Sequence, residues 1–572
     1  MRHPLTLLSC ICVLLSCGTP GANVDAPHIR ASRPPNVVWI VAEDLSPRLP
    51  PFGDSTVATP HLSALAAAGV RYPNCFSVSG VCAPSRSALA TGMYPISIGA
   101  HNMRTQYNAD ILAQNGLPPY GAVPPPEVKM LSQHLREAGY YCTNNDKQDY
   151  QFEAPRAAWD DNGPLADFAN RAPGQPFYAV YNLNVTHESQ VWGAAAKHYR
   201  FEASYPDSAV LEQASNTPLP ESERPPTDPA LDVPVPPYLV DDDSTRNDLR
   251  RVYRNVQTMD EQVGALLAHL RRHDQLDSTI VVWYTDHGGP LPREKRLLYD
   301  SGLRVPMIVR WPDGYRAGEV DSSLVSFVDL LPTTLAMVGL EVPDIVQGVT
   351  AFAKTGNTER EYVYAAADRF DTEYDRIRAV RDRRYKLLRN YYPERPYYLD
   401  VAYRTNLPSM RSLLRGRDAG TLSAEQASWF RETKDTVELF DTYSDPHELR
   451  NLAEDTAYAE VRARLTAALN AHLAEVGDLG GIDERELVAG WWGGQLRDMP
   501  TTTPPTFTET DGAYTVASPT PGAQIAYRFA VADRGTEQWR PYVAPVVLPE
   551  GDTLLAYAQR IGYRESALAR VP

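Results

Sequence analysis

The sequence predicts an α/β protein with a large, mixed, mostly parallel sheet sandwiched by helices, then a smaller C-terminal α+β subdomain and a terminal β module. Near-continuous apolar runs at 36–42, 177–183 and 279–284 are typical of parallel strands that are buried on both faces. The segment 244–273 is amphipathic and long enough to cover one face of such a sheet. Beyond Thr506 the pattern changes to short alternating runs, which indicate antiparallel strands.

Length and composition are those of a globular protein with more than one domain. The chain has 572 residues, of which 43% are hydrophobic and 22% are charged, and this argues against disorder. Its 55 basic and 71 acidic residues give a net charge of −16, which argues against nucleic acid as a partner. An anionic substrate must therefore meet a local basic pocket, because the overall field of the protein repels it.

The first 22 residues have the pattern of an export signal. Two basic residues precede the apolar run 5–15, which is too short and too early to be a membrane-spanning helix. The segment 14–17 (Leu-Leu-Ser-Cys) resembles a bacterial lipobox, which would leave Cys17 as a lipidated N-terminus, and 7–10 is a weaker copy. We expect an exported lipoprotein in the periplasm, on the outer membrane or at the cell surface, with plain secretion as the alternative. A lipid anchor would then be its only contact with a membrane.

The remaining elements follow from apolar periodicity and from proline and glycine signals. Pro60 and Pro84 suit the first turns of helices, where a missing N–H is not needed, and Gly139 stops the helix before it. The stretch from Asn184 to Val240 is rich in Pro, Ser, Asp and Glu, and we expect a long irregular segment that shapes the substrate mouth. In chain order the predicted elements are strand 36–42, helix 60–69, strand 70–76, a helix after Pro84, helix 127–138, strands 140–143 and 177–183, helix 244–273, strands 279–284 and 307–311, helix 328–338, strands 361–366 and 383–388, and helix 460–475.

A cysteine motif lies between two of these elements. Residues 82–86 read Cys-Ala-Pro-Ser-Arg and are followed by Thr91-Gly92. Because Pro84 suits the first turn of a helix, we expect Cys82 just ahead of that helix N-terminus. Free backbone N–H groups at such a position favour an anion and activate a thiol. The alternative is an ordinary buried cysteine before a proline-started helix. Cys75 and Cys142 either pair with each other or stay as two buried free thiols.

Acidic side chains follow two of the predicted strands directly. Glu43-Asp44 come after strand 36–42, and Asp286-His287 come after strand 279–284. Ligands of open α/β sheets bind at the carboxyl ends of the strands. The two pairs can therefore share a metal ion, although each could also belong to an ordinary turn.

Together the cysteine motif and the two strand ends resemble the type I sulfatases of the alkaline phosphatase superfamily, in the branch of bacterial polysaccharide sulfatases. The resemblance implies that Cys82 is converted to formylglycine by a maturation enzyme. It also implies that a cation, calcium or else magnesium, is held by the residues Glu43, Asp44, Cys82, Asp286 and His287. Glu43 departs from the aspartate that is more common in this family.

The same resemblance assigns further site residues. Arg86 would steady the nucleophile, and Lys147, His187 and Lys295 would hold the sulfate, with Arg296 as the fallback for Lys295. For His101, a site residue and an ordinary surface histidine are equally favoured alternatives. Asp149 stands where the family has a histidine, which leaves open which group regenerates the aldehyde.

The expected function is hydrolysis of sulfate esters of a carbohydrate, with algal polymers such as ulvan favoured over glycosaminoglycans. The alternatives are a formylglycine-dependent phosphonate or phosphate ester hydrolase, and an exported glycan-binding lipoprotein without activity. The predicted domains are a catalytic domain at 33–350, its C-terminal subdomain at 351–485, a linker at 486–505, and a module at 506–572 that resembles the Ig-like modules of glycan-processing enzymes.

Overall fold

An eight-stranded mixed sheet is the main element of this computed structural model, which describes residues 34–106, 109–193, 227–530 and 538–571. Its strands are β1 (Asn36–Ala42), β2 (Val70–Phe76), β3 (Tyr141–Asn145), β4 (Asp161–Asn162), β5 (Phe177–Leu183), β6 (Thr279–Thr285), β7 (Arg304–Arg310) and β8 (Val325–Ser326). They lie in the order β4-β3-β5-β1-β6-β7-β2-β8, and β7 is antiparallel to both of its neighbours. The other strands all point the same way, so the predicted mixed, mostly parallel sheet is confirmed.

Helices cover both faces of this sheet, because successive residues of a strand point to opposite faces. Val38 and Ile40 of β1 belong to one core with α1 and α6, whereas Trp39 and Val41 belong to a second core with α2, α5 and α8. The helices are α1 (Pro60–Ala67), α2 (Cys82–Thr91), α3 (Pro95–Ile98), α4 (Ala109–Gln114), α5 (Leu131–Glu137), α6 (Asp243–Arg272), α7 (Asp300–Leu303), α8 (Leu330–Met337), α9 (Pro408–Ala419), α10 (Ala424–Ala427), α11 (Ala459–Val476) and α12 (Glu484–Trp491).

The strand directions bring the predicted site residues to one edge of the sheet. The strands β3, β5, β1 and β6 are adjacent and parallel, so the residues that follow them lie side by side. Two reversals, at β7 and again at β2, bring the end of β2 and the start of α2 to the same edge. The connection 286–303 between β6 and β7 also lies there.

A second, antiparallel sheet follows, with strands β9 (Val363–Ala367), β10 (Ile377–Arg381), β11 (Tyr385–Asn390) and β12 (Val437–Asp441) in the order β12-β11-β10-β9. Leu465 and Leu469 of α11 pack on it. The sequence analysis missed β10, because its arginines resemble those of an exposed segment. Arg378 is in fact fully buried, where it forms ion pairs with Asp368 and Asp478.

Two small antiparallel sheets occupy the C-terminal region. One contains β13 (Thr506–Thr510), β14 (Ala513–Ala517) and β17 (Val546–Val547), and the other contains β15 (Gln524–Ala530), β16 (Arg540–Pro541), β18 (Thr553–Gln559) and β19 (Ala569–Val571). Ile561 packs in a core with Tyr150 and Phe152, which attaches this region to the first half of the chain. The Ig-like identity and the domain boundaries stay predictions.

Several local predictions differ from the structure. The predicted helix 127–138 begins only at Leu131, after the prolines at 124–126. Helix α12 extends into the segment 486–505, which was predicted as a linker. Its Leu487 and Val488 are buried, so this part of the segment packs against the rest of the protein. Cys75 and Cys142 are both free and buried, which decides between the two alternatives.

The leader and most of the long irregular segment lie outside the described residues. Within the described residues, no helix is long and apolar enough to span a membrane.

Candidate active site

Charged side chains from three strand ends meet through hydrogen bonds at the carboxyl edge of the main sheet. The backbone N–H of Asp44, after β1, donates to Asp286 Oδ1, after β6, at 3.1 Å. The N–H of Glu188, after β5, donates to Asp44 Oδ2 at 2.7 Å. Asp44 itself has a φ of 46°, a left-handed conformation that costs a non-glycine residue about 1 kcal/mol or more. The surrounding hydrogen bonds hold this conformation, which turns the chain sharply at the end of β1.

Cys82 is the first residue of α2, and its thiol lies inside this cluster. Its Sγ is 3.3 Å from His287 Nε2, 3.5 Å from Lys295 Nζ and 3.9 Å from Asp44 Oδ1. Burial raises the pKa of the Cys82 thiol, but the charges of Lys147 and Lys295 outweigh burial and bring this pKa down to about 6. Cys82 therefore has the environment of a reactive cysteine rather than of a structural one.

Arg86 lies one turn further along α2 and ties the helix to the strand ends. Its Nε donates to Asp286 Oδ2 at 3.0 Å, its Nη1 donates to Asn182 Oδ1 at 2.7 Å, and its Nη2 is 3.6 Å from Glu43 Oε1. These contacts fix α2 relative to β1, β5 and β6. Arg86 therefore lies among the acidic side chains of the cluster, and its role of steadying the nucleophile stays a prediction.

Two lysines approach the cluster from opposite sides. Lys147 Nζ donates to Glu43 Oε2 at 2.6 Å, and Lys295 Nζ donates to Asp44 Oδ2 at 2.7 Å. Lys295 is almost fully buried, with 3% of its side chain exposed, whereas Lys147 is 17% exposed. Both supply positive charge next to Cys82, in a chain whose net charge is −16. This is the local basic pocket that an anionic substrate requires.

His187 lies beside Lys295. Its Nδ1 is 3.3 Å from the backbone N of Ser189 and 2.9 Å from Ser189 Oγ. Its Nε2 is 3.3 Å from Lys295 Nζ and 4.0 Å from Asp44 Oδ2. The two side chains therefore lie side by side next to the Cys82 thiol, and an anion placed there would contact both.

The acidic residues of the cluster fit a divalent cation. Glu43, Asp44, Cys82 and His187 form one group of convergent ligand atoms, and Asp44, Cys82, Asp286 and His287 form another. Glu43 Oε1 is buried and has no hydrogen-bond partner among the described residues, although a buried carboxylate oxygen rarely lacks one. Burial lowers the pKa of His287, but Asp286 and Asp44 outweigh it and raise this pKa to about 10. The carboxylates thus attract positive charge into a space that oxygen-binding cations favour.

Three other predicted or considered residues lie differently. His101 is buried, and the charges that act on it are those of Asp368, Arg378, Asp478 and Glu484 rather than those around Cys82, so its catalytic role stays a prediction. Arg296, the fallback for Lys295, binds Glu188 instead, at 2.9 and 3.0 Å. Asp149 is 3.6 Å from Lys147 Nζ, so a carboxylate lies where the family has a histidine.

The sequence analysis missed two residues of the cluster. Asn182, within β5, accepts from Arg86, and Glu188 binds Asp44, Lys295 and Arg296. Glu188 could have been suspected from its place directly after His187 at a strand end. Asn182 is a polar residue within an apolar strand, and this was the only feature of the sequence that could have indicated its place in the site.

Comparisons with known proteins agree on one family. Residues 35–161 and 163–340 match the profile of the sulfatase family, and 293–404 match the profile "N-sulphoglucosamine sulphohydrolase, C-terminal". An ulvan-active sulfatase from Formosa agariphila is 44% identical over 98% of this chain and 96% of its own length. Human N-sulphoglucosamine sulphohydrolase is 25% identical, and the match covers 75% of this chain and 88% of the human protein.

Solved structures show the same fold at low sequence identity. A protein in complex with its substrate D-glucosamine-2-N,6-O-disulfate has a TM-score of 0.53 and 16% identity, over 78% of this chain and 98% of its own. A 2-O GAG sulfatase has a TM-score of 0.52 and 18% identity, over 78% of this chain and 93% of its own. At these identities the similarity concerns the fold alone.

Proposed function

This chain belongs to the sulfatase family and hydrolyses sulfate esters, and from this premise we propose that its substrate is a sulfated carbohydrate of the ulvan type. The observation that carries the proposal is the position of the Lys295 ammonium and the His187 ring, which lie side by side next to the Cys82 thiol. An anionic ester group held there would have a nucleophile beside it. The preference for ulvan rests on the relative that matches over nearly the whole chain at 44% identity.

We propose that a maturation enzyme oxidises Cys82 to formylglycine, whose hydrate supplies the nucleophilic oxygen. The position of Cys82 suits this role, since it is the first residue of α2 and faces Lys295 and His287. Arg86 keeps the helix in place through Asp286 and Asn182. These contacts hold residue 82 in a fixed position, as catalysis by a preorganised environment requires.

The cation is proposed to be calcium, held by Glu43, Asp44, Asp286 and His287 together with residue 82. It would supply positive charge for the nucleophile and for the sulfate oxygens. Calcium takes several oxygen ligands at flexible geometry, and three carboxylates fit that preference better than the strict octahedron of magnesium. Chelation followed by separate addition of the two ions tests the choice, because only calcium should restore full turnover.

The surrounding residues bind and polarise the sulfate group. Lys147 and Lys295 neutralise its negative charge as that charge shifts towards the leaving oxygen. His187 contacts the sulfate or the leaving sugar oxygen. These roles follow the family resemblance and the distances in the cluster, and substitution of each residue tests them.

The proposed nucleophile can be tested by peptide mass spectrometry on the tryptic fragment 72–86, from protein made in a host that matures sulfatases. This fragment contains Cys75 as well as Cys82, so alkylation of Cys75 is an internal control for a free thiol. We expect an aldehyde at position 82 and alkylation at 75. Two alkylated thiols, with a control sulfatase converted in the same host, would overturn the proposal.

The substrate class is tested by sulfate release from a panel of polymers. Ulvan oligosaccharides should be hydrolysed faster than fucoidan, carrageenan or glycosaminoglycan oligosaccharides, and a phosphate diester should be a poor substrate. Faster hydrolysis of the diester would favour a phosphonate or phosphate ester hydrolase. Faster release from another polymer would overturn ulvan and leave the sulfatase activity in place.

The location in the cell is a separate proposal. We propose that the protein is exported and lipidated on Cys17, since residues 14–17 have the pattern of a lipobox. Incorporation of labelled palmitate into the wild-type protein, and its loss in Cys17→Ser but not in Cys10→Ser, is the expected result. Labelling that persists in Cys17→Ser would contradict it.

A further inference from the structure

We propose that Arg104 and Tyr403 bind a second anionic group of the substrate, next to the sulfate that is cleaved. This inference rests on the proposed function, because it assigns a subsite to the same active site. The anionic group is a carboxylate or a second sulfate on the carbohydrate. A carboxylate is planar and a sulfate is tetrahedral, and each presents two oxygens that a guanidinium can bind through parallel hydrogen bonds.

Arg104 is held in place by one atom and has two donors left over. Its Nε binds Asp371, and the described part of the chain provides no partner for Nη1 or Nη2. The side chain is 21% exposed, which is enough for a ligand to reach it. Arg104 has a φ of 59° and Asp371 a φ of 55°, so both residues adopt left-handed conformations. Strained backbone of this kind persists where the surroundings fix it, and it is concentrated at binding and active sites.

Tyr403 connects Arg104 with the catalytic cluster. The guanidinium carbon of Arg104 is 4.9 Å from the centroid of the Tyr403 ring, and that of Arg296 is 5.7 Å away. Arg296 binds Glu188, whose Oε1 is 3.2 Å from Lys295 Nζ. A single short chain of contacts therefore leads from Arg104 to the lysine beside Cys82.

The ring of Tyr403 is fixed, and its hydroxyl is available. Trp192 contacts this ring edge to face, with 4.6 Å between the centroids. Among the described residues, the Tyr403 hydroxyl has no hydrogen-bond partner. Burial and the charge of Glu188 raise the pKa of Tyr403 to about 12, so the hydroxyl keeps its proton near neutral pH. It can donate to an oxygen of the bound carbohydrate.

The charges around this position leave an excess of positive charge. In the part of the chain that the structure describes, Arg104, Arg296 and Arg404 face two carboxylates, those of Asp371 and Glu188. Arg404 is 5% exposed and forms no ion pair with any described residue. A negative group at the two free donors of Arg104 would balance the excess. In a chain with a net charge of −16, such a local excess indicates a site for an anion.

The test compares three oligosaccharides on the same enzyme. The first contains the cleavable sulfate, a uronate and a second sulfate, the next has its carboxyl group reduced to an alcohol, and the third lacks the second sulfate. The ratio of kcat/KM between the complete and the altered substrate is the readout. Because both values come from one preparation, the ratio does not depend on the fraction of folded enzyme.

We expect the wild type to favour the complete substrate by about 10-fold or more over one of the two altered substrates, as a charge-assisted hydrogen bond implies. A loss on carboxyl reduction identifies a carboxylate, and a loss on removal of the second sulfate identifies a sulfate. In Arg104→Gln the ratio should fall towards one, while Arg104→Lys should keep part of it. Arg246→Gln removes an exposed arginine that pairs with Asp241, and it should keep the wild-type ratio.

Two results would overturn the inference. One is a wild-type enzyme that treats all three substrates alike, and the other is an Arg104→Gln enzyme with the wild-type ratios. Failure of the proposed function would look different, because the wild type would then release sulfate from none of the three. In that case calorimetric binding of the same oligosaccharides to the wild type and to Arg104→Gln tests the inference. The affinities of the three oligosaccharides must then follow the order that is expected for kcat/KM.

Discussion

Replacement of Lys295 by methionine should separate what this lysine does for the fold from what it does for catalysis. Its Nζ is 2.7 Å from Asp44 Oδ2, 3.2 Å from Glu188 Oε1 and 3.5 Å from Cys82 Sγ. Methionine keeps the length of the side chain and removes its charge. Glu188 keeps its two bonds from Arg296, so Asp44 is the carboxylate that loses most.

The magnitude follows from the burial of the pair. Lys295 is 3% exposed and Asp44 is fully buried, and loss of one partner from such a pair costs about 3–5 kcal/mol. We expect about 3 kcal/mol from urea unfolding, because His287 Nε2 still lies 3.0 Å from Asp44 Oδ1. Loss of a donor that stabilises a developing charge lowers kcat/KM by about 10²- to 10³-fold. Added calcium should recover part of the stability and little of the activity.

Lys386→Met is the matched control. Lys386 is also buried, at 1% exposed, and it bridges Asp300 at 2.9 Å and Glu448 at 2.8 Å, away from the Cys82 cluster. It should lose a similar free energy of unfolding, while its kcat/KM per folded molecule stays within a few-fold of wild type. Wild-type kcat/KM in Lys295→Met, or an equal loss in both variants, would refute the catalytic role of Lys295.

Three further predictions concern the nucleophile, the cation and acid stability. Cys82→Ala should fold with a urea midpoint close to that of wild type and lose more than about 10³-fold in sulfate release; substantial turnover in this variant would remove Cys82 from the mechanism. Chelation should abolish sulfate release and lower the urea midpoint, because the carboxylates of Glu43, Asp44 and Asp286 then lose the cation's share of their counter-charge; an enzyme unaffected by chelation would argue against the cation site. Burial lowers the pKa of His472 from 6.5 to about 3. As the pH falls from 7 to 5, His472 therefore takes up a proton in the unfolded chain but not in the folded chain. The free energy of unfolding should fall by about 2 kcal/mol over this range. Urea unfolding of His472→Gln should show a weaker dependence on pH, and an unchanged dependence would assign the effect to other groups.

The strands of the main sheet were predictable because they are buried on both faces. A segment such as 177–183 consists mostly of apolar residues, and no tertiary information is needed to see that it must lie inside. The positions of Glu43-Asp44 and Asp286-His287 were predictable for the same reason, since a polar group that follows a buried strand marks the end of that strand. The cysteine motif and the proline in the first turn of α2 likewise depend on neighbours in the sequence alone.

Ion pairs between distant segments were not predictable in this way. The arginines of β10 resemble those of an exposed segment, and their buried partners make the strand stable in the interior: Asp368 and Asp478 for Arg378, and Asp300 for Arg381. Glu188 is one more acid in the sequence, and its importance comes from Asp44, Lys295 and Arg296, which lie between 100 and 150 residues away along the chain.

The sequence by itself determined which residues stand at the strand ends, and therefore most of the candidate site. The tertiary structure decided which of them meet. Lys295 reaches Cys82 because β7 reverses the chain at the carboxyl edge, and Arg104 lies near the same site because Asp371 and Tyr403 come to it from the second half of the chain. Contacts of this kind depend on the order of strands and on the packing of whole segments, which no local pattern of residues specifies.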